Sequence, residues 1–424
     1  MLPRTPYLKW LFLDLNAYFA SVEQQAEQRL RGRPVGVLPL KSETTCIIAA
    51  SYEAKARGVK TGTPVWEARR LCPGIVLVPA RHELYVEYHH LILKEINNHI
   101  PVSSVGSIDE MACELLGDER EPEKAVALAR RLKRGILDNV GECLRCSIGI
   151  ATSHFAAKVA SDMQKPDGLV VVRPGELPDR FFNLDLRDLA GIGPNMERRL
   201  NAAGVYSVRD LAALQPKHAR KIWGSVAGER FWYGLHGVDI PEAPPAAKRT
   251  IGHSRILPPA MRAPDEARQV ARRLLAKAAG RLRRYGLTAS ALACSARLET
   301  GLRWAGEMRL VEATQDSFAL LAAFEALWRE YRPVGGSGLV KKVSVTLLGL
   351  APVEQQAPDL FAAAEPGRQH RQNLRGKLAG ALDRLNGKYG SDTVTLGLLP
   401  KVGLEYAGAK VAFTRIPERE EFSE

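Results

Sequence analysis

Apolar positions along this chain alternate between strand-like runs and helical spacing, and the alternation lays out most of one domain. Tyr7 to Asp14 is a near-continuous apolar run that predicts a strand, and Tyr18 to Arg29 has helical spacing, ended by Gly32-Arg33-Pro34. Val35 to Leu40 predicts a second strand, and the short apolar run Thr45 to Ala50 leads into a helix carrying Tyr52 and Lys55. A long amphipathic helix is expected from Glu83 to about His99, followed by strands over Val102 to Ile108 and Met111 to Leu115. Then come a helix through Glu123 to Leu137, a strand Cys146 to Ile150, a helix Phe155 to Met163 and a strand Leu169 to Val172. The order β, α, β, β, α, β, with a helix excursion inserted, matches a ferredoxin-like sheet, so the expected class is α+β.

Three acidic residues stand where these apolar runs stop: Asp14, in Leu13-Asp14-Leu15-Asn16-Ala17-Tyr18-Phe19-Ala20-Ser21-Val22-Glu23, and the pair in Ser107-Ile108-Asp109-Glu110. An acid at a strand end is usually solvated turn chemistry. If the strands are neighbours, however, the acids meet at the rim of one sheet and can hold two divalent cations, a site for phosphoryl or nucleotidyl transfer. Clustered carboxylates repel one another, so at least one should bind protons more readily than an isolated acid.

The same chain carries Ala50-Ser51-Tyr52-Glu53-Ala54-Lys55 and Gly58-Val59-Lys60-Thr61-Gly62, then Ala157-Lys158 with Lys165-Pro166-Asp167-Gly168, and then Gly191-Ile192-Gly193. In order and approximate spacing these strings resemble the bacterial Y-family (translesion) DNA polymerases, of the UmuC-type/DinB-type branch, from about Tyr7 to about Leu350. Lys55, where many relatives have Arg, and Asn16, where DinB-type relatives usually have Asp, lean toward the UmuC-type branch. The resemblance implies a multi-domain right hand: palm at 1–17 and 84–172, small fingers at 18–83, helical thumb at 173–239, linker at 240–249, α+β little finger at 250–350, and tail at 351–424.

It also implies the site. Asp14, Asp109 and Glu110, with the carbonyl of Leu15, would hold two Mg²⁺ ions, with Mn²⁺ as a substitute. Ala17, Tyr18, Phe19, Tyr52, Lys55 and Lys165 would bind the nucleotide, the hydroxyl of Tyr52 and two ammonium groups facing roughly four triphosphate charges. Phe19 falls at the family's steric gate, whose ring excludes a ribose 2′-hydroxyl; the plain alternative is a core Phe on the first fingers helix.

DNA contacts are expected in three places. Leu189-Ala190-Gly191-Ile192-Gly193-Pro194 and the helix through Met196 to Ala203 look like a helix-hairpin-helix, in which Gly191 and Gly193 let backbone N–H groups approach a phosphate. Arg268, Arg272, Arg273, Lys277, Arg281, Arg283 and Arg284 crowd one helix with few acids at helical spacing, which predicts a phosphate-tracking surface. Pro241 to Lys248, rich in Pro and Ala, reads as a linker. In the Pro/Ala/Gln-rich stretch Ala351 to Gly367, Gln356-Ala357-Pro358-Asp359-Leu360-Phe361 resembles the peptide that docks bacterial polymerases on the sliding clamp, with Gln356, Leu360 and Phe361 as anchors. Arg371 to Tyr389 and Asp392-Thr393-Val394-Thr395 resemble a UmuC-type tail.

At 424 residues the chain is too long for one ordinary core, and its net charge of +13 suits a polyanionic partner. No apolar stretch is long enough to span a bilayer and the N-terminus lacks a signal peptide's order, so a soluble cytoplasmic protein is expected. Cys46, Cys72, Cys113, Cys143, Cys146 and Cys294 do not read as a disulfide framework. Cys143 and Cys146 have half a zinc site's spacing, but no second pair follows.

The expected activity is template-directed, low-fidelity DNA synthesis past damaged bases, on primer-template DNA and deoxynucleoside triphosphates, with the sliding clamp as partner and a UmuD-like subunit or recombinase filament as further candidates. The alternative is a catalytically silent, polymerase-shaped accessory protein that binds DNA and the clamp. A nuclease using the same two-metal chemistry would leave the triphosphate-gripping residues without a purpose.

Overall fold

The computed structural model describes residues 5–39, 43, 45–241, 249–332, 338–355, 368–390, 393–397 and 416. The chain forms two compact units that part between Glu242 and Ala243. In the first, β1 (Trp10–Leu15) is buried at every position after Trp10, so its apolar run shows no alternation. It feeds α1 (Tyr18–Ala26) through Ala17, which adopts a left-handed conformation at φ 48°. A small sheet follows, built from β2 (Val35–Leu38), β3 (Ala49–Ala50) and β4 (Val76–Pro79) in the order β3-β2-β4, with α2 (Tyr52–Lys55) and α3 (Val65–Leu71) between its strands. Most of the run Thr45 to Ala50 is loop: only Ala49–Ala50 pairs with β2.

α4 (His82–Asn97) returns to the main sheet, which is completed by β5 (Ser104–Val105), β6 (Glu110–Glu114), α5 (Pro122–Gly135), β7 (Cys146–Ala151), α6 (His154–Met163) and β8 (Leu169–Val171). The strand order is β5-β6-β1-β7-β8. A β5-β6 hairpin lies antiparallel beside β1, and β7 lies antiparallel on its other side, which is the ferredoxin-like arrangement; β8 is added parallel to β7 through the α6 crossover. β5 is far shorter than expected because Gly106 and Ser107 turn the chain, both N–H groups donating to the Glu110 carbonyl at 2.9 and 3.3 Å. α6 rides directly on β7 at Gly149, where a Cβ would stand 2.0 Å from the Ala157 carbonyl oxygen and 2.4 Å from the Ser161 nitrogen.

α7 (Pro194–Ala202), α8 (Val208–Ala213), α9 (Pro216–Trp223) and α10 (Val226–Leu235) follow. They share one apolar core with the main sheet: Phe12, Ala151 and Val159 pack in the same cluster as Phe181, Leu200, Leu211 and Leu235. The first helix of the expected helix-hairpin-helix is a single 3₁₀ turn, Leu186–Asp188. Gly191 makes the turn at φ 99°, which only glycine adopts freely, and Gly193 caps α7.

The second unit is a four-stranded antiparallel sheet in the order β11-β10-β12-β9, made from β9 (Thr250–Ile256), α11 (Pro264–Arg284), β10 (Leu287–Leu298), β11 (Arg303–Thr314), α12 (Ser317–Trp328) and β12 (Val340–Pro352). Leu274 and Leu282 of α11 and Phe324 of α12 pack with Leu292 and Val345 of the sheet. α13 (Arg368–Tyr389) joins this unit through Asp383, which accepts from Arg283 at 2.6 and 2.8 Å. All six cysteines are free, and Cys113, Cys146 and Cys294 are buried strand thiols. No helix among the described residues is long and apolar enough to cross a membrane.

Candidate active site

The antiparallel register of β1 and β6 sets Asp14 directly opposite Glu110, and the Leu15 N–H donates to the Asp109 carbonyl at 2.8 Å. The three acids of the two sequence strings therefore meet at one end of the main sheet. Asp14 is only 8% exposed. Its carboxyl is pushed up to about 7, by burial first, against the pull of Lys165 and with help from the neighbouring Asp109 and Asp162. Asp109 is raised as well, by burial first, against a hydrogen bond from Ser107 and with help from Glu110. The sequence placed these acids together and expected repulsion to raise one of them; desolvation is the larger cause.

Two lysines answer the acids. Lys165 Nζ lies 2.7 Å from both Asp14 Oδ1 and Asp162 Oδ1, and Lys158 Nζ lies 2.7 Å from Glu110 Oε2. Burial works against the Lys165 ammonium, but Asp14 and Asp162 outweigh it and raise its pKa. From sequence, Lys158 appears only in the Ala157-Lys158 string, with no role given, and Asp162 is not noted. The available signal was their spacing: Lys158 and Asp162 stand four apart on α6, whose end leads directly to Lys165. Among the described residues no three His, Cys, Asp or Glu side chains converge on one point; the lysines hold the Asp14 and Glu110 carboxylates. The donor set itself, three carboxylates on partly desolvated strand ends, suits a hard divalent cation.

Tyr52, Lys55 and Lys165 come together beside Asp14. Lys55 Nζ stands 4.3 Å from the centre of the Tyr52 ring, and burial followed by the neighbouring Lys165 lowers its pKa. Burial raises the Tyr52 hydroxyl, with Lys165 opposing. Tyr18 is buried and donates to the Tyr85 carbonyl at 2.6 Å, so only its backbone is free to meet a ligand at the start of α1. Phe19 is half-buried and stacks on Tyr85 with ring centres 4.2 Å apart and planes 14° apart. Tyr85 is held in turn: its hydroxyl donates at 2.7 Å to the buried Glu23, which also accepts from Arg81. Asn16 uses both ends of its amide, donating to Ser147 Oγ at 3.1 Å and accepting from the Asp167 N–H at 2.7 Å.

Three cations of the arginine-rich helix have carboxylate partners on other helices. Its acidic partners are scarce only in sequence. Glu325 of α12 pairs with Arg272 and, at 3.6 Å, with Arg268, while Asp383 takes Arg283. Lys277 and Arg281 lie near His253 on the sheet, whose imidazole is pushed down to about 4 by burial and by those two cations. Arg268, Arg272, Arg273, Lys277 and Arg281 are half-buried, and Arg284 alone of the proposed set is exposed. The opposite face of the sheet is small and polar instead. Register puts Ala305, Ser295, Ser344 and Ser254 in one row across four strands, and the exposed cations Arg303, Arg297 and Lys342 in the next. The clamp peptide with Gln356, Leu360 and Phe361 lies outside the described residues, as does most of the linker.

A ferredoxin-like sheet whose rim carries three acids and whose flank offers a cluster of cations is the palm of a nucleotidyl-transferring polymerase. Residues 13–162 match the impB/mucB/samB family and residues 248–360 that family's C-terminal domain. DNA polymerase IV of Moorella thermoacetica is 35% identical over 94% of this chain and 98% of its own length. A solved Y-family DNA polymerase chimera of Dbh and Dpo4 superposes with a TM-score of 0.67 at 25% identity, covering 81% of this chain and 99% of that one. The insertion ternary complex of Dbh DNA polymerase gives 0.51 at 25% identity over 81% and 99%. The chain belongs to the Y-family DNA polymerases, on the DinB-type side. Lys55, Asn16 and the tail therefore do not mark a UmuC-type chain. Y-family polymerases use divalent metal ions.

Proposed function

We propose that this Y-family DNA polymerase extends a primer at the rim of the main sheet, with Asp14, Asp109, Glu110 and the Leu15 carbonyl holding two Mg²⁺ ions, for which Mn²⁺ substitutes. Bound there, the ions supply a lowered pKa at the primer 3′-hydroxyl and charge stabilisation for the departing pyrophosphate. Lys165, Lys55 and Tyr52 face the triphosphate. The free N–H groups at the start of α1, from Ala17 to Phe19, add donors to a phosphate. The Phe19 ring, backed by Tyr85, closes the space a 2′-hydroxyl would need. Gly191 and Gly193 bring backbone N–H groups to one DNA phosphate. In the second unit, the small-residue sheet face with Arg297, Arg303 and Lys342 takes the DNA backbone in place of most of the α11 set, leaving Arg284 as that helix's exposed contributor. These contacts are sequence-independent and salt-sensitive.

Palm, fingers, thumb, linker, little finger and tail follow the boundaries given above. Gln356, Leu360 and Phe361 bind the sliding clamp, and the protein works in the cytoplasm on primed DNA, with a UmuD-like subunit or recombinase filament as further candidate partners. The cross-strand pairing of Asp14 with Glu110, with Asp109 adjoining, carries this reading. The test is single-nucleotide incorporation on a primed template with Mg²⁺: Asp109→Ala should retain DNA binding and lose incorporation. Incorporation at the wild-type rate would end the assignment.

A further inference from the structure

Asp162 has no role in the reading above, yet it shares the ammonium group at the centre of the site. Lys165 donates to Asp14 and to Asp162 at the same distance, 2.7 Å. A divalent ion held by Asp14 would repel the Lys165 ammonium and weaken that pair. Asp162 is under no such demand. It lies in the last turn of α6, three residues before Lys165, and its side chain is 38% exposed. Its charge reaches both Asp14 and Tyr52.

We propose that Asp162 is a positioning residue: it holds Lys165 beside the triphosphate path when the lysine leaves Asp14, so the cation that meets the nucleotide is already in place. The inference rests on the proposed role of Lys165. It also has a sign that simple electrostatics does not share. A carboxylate beside the triphosphate repels it, so removing the charge should strengthen nucleotide binding unless the carboxylate acts through Lys165.

The test is steady-state incorporation by the full chain on primed DNA with Mg²⁺. Asp162→Asn should raise the KM for the nucleotide about five- to tenfold, less than a fully buried charge-assisted hydrogen bond would give because the Asp162 side chain is 38% exposed, with kcat within about twofold. Asp162→Glu should recover most of the loss. In a Lys165→Met background the Asp162→Asn change should leave KM unchanged or lower it, since there is no lysine left to hold. An unchanged or lowered KM for Asp162→Asn alone, with Lys165→Met still raising it, would overturn the inference and leave the site reading intact. If Lys165→Met leaves KM unchanged, both fall.

Discussion

Replacing Gly149 by alanine tests how the fold builds the site. Gly149 lies in the middle of β7, and a Cβ there would sit 2.0 Å from the Ala157 carbonyl oxygen, where ordinary contact begins at 3.4 Å. The three obstructing atoms, the Ala157 oxygen, the Ser161 nitrogen and the Ala160 carbonyl carbon, all belong to the α6 backbone, so no side chain can swing away. Helix and strand must separate by about 1.4 Å. Overpacking of this kind costs about 1–3 kcal/mol, and a backbone obstruction belongs at the upper end, near 3 kcal/mol. α6 also carries Lys158 and Asp162, so its retreat shifts the groups that flank Glu110 and Lys165. A displacement of about 1 Å near the chemistry costs on the order of 10²-fold in rate. Urea unfolding should show the stability loss, and primer extension under folded conditions the loss of kcat. Gly74→Ala, with nothing within 4 Å of the added carbon, is the matched control and should change neither. If Gly149→Ala unfolds within about 0.5 kcal/mol of the wild type and keeps its kcat, the contact between α6 and β7 does not position the site as described.

Other outcomes follow from the same geometry. Phe19→Ala should raise ribonucleotide incorporation relative to deoxynucleotide; unchanged sugar selectivity would count against the gate. His89 is 1% exposed, its Nδ1 lies 2.8 Å from the Ile108 carbonyl beside Asp109, and burial pushes its pKa down from 6.5 to about 4. The folded state thus favours neutral imidazole, and the stability held above pH 6.5 is lost as pH falls toward 4; between about pH 7.5 and 5.5 the loss is about 1.4 kcal/mol. His89→Gln should flatten that part of the stability profile, and an identical slope in the variant would refute it. Deleting Leu360 and Phe361 should abolish clamp binding measured by surface plasmon resonance while sparing distributive synthesis; undiminished binding would remove the peptide from the account.

What the sequence disclosed depended on how local the signal was. The order of strands in the main sheet was legible because β1, β6 and β7 are apolar runs with turns between them, and the acids could be placed because each stands where such a run ends. β5 was overestimated because the turn at Gly106 and Ser107 uses carbonyl Glu110 rather than a recognisable turn dipeptide. Lys158 was noted without a role and Asp162 was missed because their significance is tertiary: α6 packs on β7 through Gly149, and only then do the residues on its face reach Glu110 and Lys165. The ion pairs of Arg268, Arg272 and Arg283 on α11 escaped the sequence for the same reason. Their carboxylate partners, Glu325 and Asp383, lie on other helices at long separations in the chain, where helical spacing within α11 gives no sign of them. Asn16 and Lys55 together leaned toward the UmuC-type branch, whereas the relatives are DNA polymerase IV of the DinB type. In the fold Asn16 serves as a two-ended hydrogen-bond link between Ser147 and Asp167, a task a side-chain amide performs whatever the branch.

The proposed metal-dependent centre of Asp14, Asp109 and Glu110 should drive DNA synthesis on damaged as well as intact templates. Its most direct test is running primer extension by wild type and Asp14→Asn in parallel, with Mg²⁺ and all four deoxynucleotides, on an undamaged template and on the same template carrying an abasic site. The account predicts wild-type products that reach the end of the first template and pass the lesion on the second, and none on either with Asp14→Asn. Extension by the variant, or wild-type synthesis that always halts at the lesion, would contradict it.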